Sequence, residues 1–96
     1  MVQGLRQCAN ALRNHNADAL VLTEDALADR LVWVGGTHRD QVAEEAAELR
    51  ALGMPSTSER ADEALPMAAL TVRAEVLVTT ADLPLTDEVG VLLRHP

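Results

Sequence analysis

Apolar and polar positions alternate in two rhythms along this chain. From residue 2 to 16, Val2, Leu5, Cys8, Ala9 and Leu12 recur at helical spacing, while Arg6, Asn10, Arg13 and Asn14 lie elsewhere. The pattern predicts a helix over 2–16. It is stopped by Asn14-His15-Asn16, because Asn suits the left-handed end conformation. Short, wholly apolar runs then predict strands at 18–23, 30–35, 75–80 and 89–94. The connection 24–29 is polar, with room for one helical turn. Gly35-Gly36 ends the second strand, and Thr37 reads as the cap of a second helix. In that helix Val42, Ala46 and Leu49 form the buried stripe, continued by Leu52, and Glu44, Glu45 and Glu48 form the solvated face. Arg50 falls in its last turn, where the helix dipole favours a cation, and Gly53 followed by Pro55 ends it. Residues 55–60 predict a short edge strand. Asp62 is expected to cap a third helix at 63–72, with Pro66 tolerated near its start.

One phrase occurs twice. Ala17-Asp18-Ala19-Leu20-Val21-Leu22-Thr23-Glu24-Asp25 is echoed by Ala74-Glu75-Val76-Leu77-Val78-Thr79-Thr80-Ala81-Asp82. Each copy follows a helical segment. A helix feeding an apolar strand suggests a strand covered on both faces. The element order α, β, β, α, (β), α, β, β predicts an α/β domain, a three-layer α/β/α sandwich with a mixed sheet and helices on both faces.

Composition narrows the function classes. There is no Phe, no Tyr and one Trp, so the core is built from Leu, Val, Ala and Met. Aromatic stacking on bases is restricted to Trp33, which reads as a core residue. Fifteen acidic residues face eight basic ones, all Arg, for a net charge of -7. That balance repels a phosphate backbone and an anionic membrane, and it suits a basic or apolar partner. The single cysteine, Cys8, has no partner for an internal disulfide, and its place on an apolar stripe reads as core. No run approaches a membrane span, and no apolar secretory segment opens the chain, so a cytoplasmic location is expected. The first helix begins abruptly, without a capping signal. Residues 1–96 are therefore read as one domain excised from a longer chain.

Chemistry-bearing constellations are few. His15, His38 and His95 are far apart and read as loop residues. Gly35-Gly36-Thr37 joins strand to helix but lacks the length and the lysine of a phosphate loop, and reads as a turn and cap. The carboxylates Glu24, Asp25 and Asp29, with Asp82 and Asp87, follow the strands. If the repeated strands are parallel neighbours, the loops after them share one carboxyl edge, where open α/β sheets hold their ligands. These five residues are the candidate partner-binding site. Turn-forming acids are the simpler reading over a metal site, and no catalytic set or cofactor is expected.

Three stretches carry a family likeness. They are Ala11-Leu12-Arg13 through Ala17-Asp18-Ala19-Leu20-Val21-Leu22; Leu27-Ala28-Asp29-Arg30-Leu31-Val32-Trp33-Val34-Gly35 with Glu48-Leu49-Arg50-Ala51-Leu52-Gly53; and Asp87-Glu88-Val89-Gly90-Val91-Leu92-Leu93-Arg94-His95. Together they resemble the C-terminal, third domain of bacterial proteins related to archaeo-eukaryotic release factors and pelota, closest to the actinobacterial ribosome-hibernation factors of the Balon type. Such proteins commonly end in an aromatic where this chain has His95. The resemblance implies a fold akin to kink-turn-binding ribosomal proteins. It also implies a non-catalytic role: docking the ribosome or a translational GTPase, in translation or stress response. The Gly-Gly-Gln of true release factors belongs to another domain, and Gly35-Gly36-Thr37 is not its equivalent. Direct nucleic-acid binding is not expected of so acidic a chain. An RNA-binding module of the kink-turn type, and a small metal-binding or enzymatic domain using the acidic loops, are the alternatives.

Overall fold

The computed structural model describes residues 1–96 except Thr37 and Ala81. The chain is a mixed α/β sandwich of two sheets and three helices. Its elements are β1 (Val2–Gln3), α1 (Leu5–Arg13), β2 (Ala17–Thr23), β3 (Leu31–Gly35), β4 (Val42–Ala43), α2 (Ala46–Ala51), β5 (Ser56–Arg60), α3 (Ala61–Thr71), β6 (Glu75–Thr79) and β7 (Val89–Leu93), with a 3-10 turn at Thr86–Glu88. Among the described residues the strands divide into a four-stranded sheet, β1-β7-β2-β6, and a three-stranded sheet, β4-β3-β5. The larger sheet is mixed: β2 runs parallel to β6 and antiparallel to β7. Helices α1 and α3 pack against one another and against both sheets, and α2 packs on the smaller sheet. Leu5, Leu12, Leu20, Leu65, Val32, Val89 and Val91 fill the core between them.

Several elements differ from their sequence-based expectation, each for a physical reason. The first helix does not begin at residue 2. Val2 lies in β1, opposite Val91, and Gly4 at φ +89° turns the chain into α1. Val2 fits the helical stripe and the strand equally well; burial by pairing decides. At the other end the left-handed residue is His15, not an Asn. His15 N–H donates to Leu12 O, and Asn16 N–H to Ala11 O, closing the helix in a Schellman motif. The second helix is the largest departure. It occupies only Ala46–Ala51, because Val42 and Ala43 instead pair with Val34 and Trp33 as β4. The cap expected at Thr37 lies outside the described residues. The helix opens at Glu45, whose N–H donates to the Glu48 carboxylate at 3.0 Å. The expected wet face of Glu44, Glu45 and Glu48 is a cradle for Arg6, at 3.0, 3.8 and 3.9 Å respectively. Asp62 is not the cap of α3; Arg60 holds that position, and Asp62 binds its guanidinium.

The repeated strands pair as parallel neighbours, but not in the register of the repeat. Leu20 faces Val76, and Val21 faces Leu77. Against β7, β2 carries a bulge between Ala17 and Ala19. The one-residue offset puts the corresponding side chains of the two copies on opposite faces of the sheet. Leu20 is fully buried under the helices, whereas Leu77, its counterpart in the phrase, is 43% exposed on the opposite face. The expectation that both copies are covered on both faces is therefore corrected, because α1 and α3 lie on one face of this sheet. β6 is an edge strand, and Val78 is 66% exposed.

Trp33 is half-buried in β3 between Ala43 and Ser58. The closing motif has two structural uses. Gly90 leaves room for Met1, whose Sδ would lie 2.9 Å from a Cβ placed there. Arg94 donates to the carbonyls of Val72 and His15, tying together the C-terminal ends of α3 and α1. A cation there also meets the negative end of each helix dipole.

Candidate functional site

The carboxyl end of β2 leads into a tight connection with two non-glycine residues in the left-handed region, Asp25 (φ 60°) and Leu27 (φ 67°). Leu27 and Ala26 are buried and anchor this loop to the core. Because β7 runs antiparallel to β2, the segment before it arrives at the same edge. There Asp87 (φ 53°) and Glu88 (φ 63°) are also left-handed. The two segments enclose an open cleft of about 270 Å³ lined by Asp25, Leu27, Ala28, Asp29, Arg30, Asp87 and Glu88.

The cleft is held by a few polar contacts. Asp87 Oδ2 accepts the Leu5 N–H at 2.9 Å, so a distant carboxylate caps α1. Asp87 Oδ1 lies 3.6 Å from an Arg30 guanidinium nitrogen. The buried Thr23 hydroxyl donates to Glu88 Oε2 at 3.3 Å. Asp87→Ala is expected to lower stability by about 1–2 kcal/mol, because it removes the acceptor for an unpaired helix N–H. Asp87→Asn keeps an acceptor and tolerates positive φ, so it should cost less than about half as much. Urea unfolding of the two variants measures the difference.

Of the five carboxylates singled out in the sequence, Asp25, Asp29 and Asp87 line the cleft. Glu24 and Asp82 do not. Glu24 is exposed, with its N–H donated to Thr79 O. Asp82 follows β6 and accepts the Thr80 hydroxyl, which together with a backbone N–H holds its carboxyl below the usual range. Arg30 and Glu88 are cleft residues that the sequence reading passed over. Each adjoins a selected acid, but only the fold shows that 29–30 and 87–88 meet. Among the described residues no group of three or more His, Cys, Asp or Glu is placed to hold a metal ion. None of the described helices is long and apolar enough to cross a membrane.

The arginines are largely committed to internal contacts. Arg6, Arg30, Arg39 and Arg60 pair with carboxylates. Arg13 and Arg94 donate to backbone carbonyls. This leaves little for the basic stripe that phosphate backbones require.

No family model matches the chain. It is similar to two proteins of Mycobacterium tuberculosis, Uncharacterized protein Rv2629 of strain ATCC 25618 / H37Rv and Uncharacterized protein MT2704 of strain CDC 1551 / Oshkosh. Each is 40% identical over 94 residues, covering 97% of this chain and 24% of the relative. The chain thus spans about a quarter of the length of the curated relatives it matches.

Proposed function

We propose that this chain is a non-catalytic protein-interaction domain of a release-factor-like, ribosome-associated protein of the cytoplasm, and that the cleft at the carboxyl end of β2 is its docking edge. One observation carries the reading. Two of the segments that resemble the third domain of release-factor and pelota relatives, Leu27–Arg30 and Asp87–Glu88, are far apart in sequence and meet in this cleft. Packing alone does not call for so many exposed acids around an open cavity, and their charge suits a basic partner surface. The ribosome and translational GTPases are the partners that the resemblance suggests. A parent protein in translation or stress response is consistent with relatives about four times as long.

Purified ribosomes and translational GTPases, passed over the full-length parent, test the reading. Retention is expected, and the double change Asp25→Asn with Asp29→Asn should weaken it about tenfold while leaving thermal unfolding unchanged. No retention of either partner, or retention indifferent to the two changes, would sink the proposal.

A further inference from the structure

The outward face of the four-stranded sheet carries a separate surface. Helices α1 and α3 both lie on the face that presents Leu20, Leu22, Val89 and Val91. On the other face the register sets two rows across the strands. One is Gln3, Gly90, Val21 and Leu77, with the Met1 side chain over Gly90; the next is Leu92, Ala19 and Glu75. Met1, Leu92 and Leu77 are 57%, 41% and 43% exposed. Gly90 lies beneath the Met1 and Leu85 side chains, which extend the apolar surface over it. Parallel strands such as β2 and β6 are usually covered on both faces, while antiparallel pairs can leave one face solvated, and this sheet has its helices on one side.

We infer that this face docks a basic amphipathic helix of a partner protein, which supplies the missing helical layer. Charge selects the occupant. Glu75 and the bulge residue Asp18 border the apolar rows, and no arginine stands among the paired residues of these rows. A second copy of the chain would bring another net charge of -7 and the same acidic border against it. An anionic membrane is repelled on the same ground. A helix with Leu and Ala on one side and Lys or Arg at its margins fits both the apolar rows and the acidic rim. The inference is independent of the cleft, which lies at the end of the strands.

Titration of the isotope-labelled chain with a designed helical peptide of about 18 residues, leucine-faced and lysine-flanked, tests it by NMR. Shifts are expected at Val21, Leu77, Gly90 and Leu92. Binding should fall about tenfold for Leu77→Asp, and for a peptide with the same apolar face but glutamate flanks. Leu92→Gln provides a second variant should Leu77→Asp not fold. Asp25→Asn, in the cleft, should leave peptide affinity unchanged, which separates this result from the ribosome assay. The inference fails if shifts centre on Asp25, Asp29 and Asp87. It also fails if the two peptides bind alike, or if sedimentation shows a dimer that Leu77→Asp dissolves.

Discussion

Leu20→Ala is expected to destabilise the domain by about 2–5 kcal/mol, and Leu77→Ala by less than about 1 kcal/mol. The two leucines occupy the same place in the repeated phrase, so a reading of the sequence assigns them equal weight. The fold does not. Leu20 is enclosed between the sheet and the helices, where truncation leaves a cavity that packed neighbours cannot fully close. Leu77 points to the uncovered face, where water already reaches it and fills the space left by truncation. For a domain of this size the total stability is about 5–14 kcal/mol, so the loss at Leu20 is a large share of it. It should lower the melting temperature by about 10 °C or more. Urea unfolding of both variants at matched pH measures the contrast. Equal losses would mean that the strands pair in the register of the repeat, without the slip.

The second large effect concerns Cys8. Its thiol is fully buried in α1, and its pKa is raised to about 12, first by burial and second by the nearby negative charge of Asp87. Thiolate is the reacting species, so alkylation of the folded chain near neutral pH should be about a thousandfold slower than in urea. The same shift has a consequence for stability. Below pH 9 the thiol is protonated in both states and contributes no pH dependence. Above pH 9 the unfolded chain releases the proton while the folded chain keeps it, so the unfolded state binds fewer protons and stability falls as pH rises toward 12. Iodoacetamide labelling with and without urea, and unfolding curves across that window, check both statements. Cys8→Ala should remove the alkaline decline attributable to this group.

Much of the fold was legible because the signals were local. The runs at 18–23, 30–35, 75–80 and 89–94 are apolar and bounded by turn residues, and each is a strand within a residue or so. Helix α3 lies within two residues of its expected bounds, and the end of α2 before Gly53 follows from stop signals. The candidate site was legible in part for a similar reason. Asp25 and Asp29 follow β2 and line the cleft, whereas Asp82, after the parallel β6, does not. Asp87 joined Asp25 and Asp29 only because β7 returns antiparallel to that edge. Where two periodicities fitted one segment, the sequence misled. Val42 and Val2 each satisfy a helical stripe, yet each pairs in a sheet, Val42 with the neighbouring Val34 and Val2 with the distant Val91.

By itself the sequence determined an acidic α/β domain with a core free of Phe and Tyr, the identity of most strands, and a carboxyl edge rich in acids. Those properties follow from local apolar periodicity, turn chemistry and net charge. The tertiary structure decided the register of the repeated phrase, the division into two sheets, the existence of β1 and β4, and the meeting of Arg30 with Asp87. Apart from β4, which pairs with the nearby β3, these depend on pairings between residues far apart in the chain. The one-residue offset between β2 and β6, with β6 at the edge of the sheet, put Leu20 in the core and Leu77 on the uncovered face.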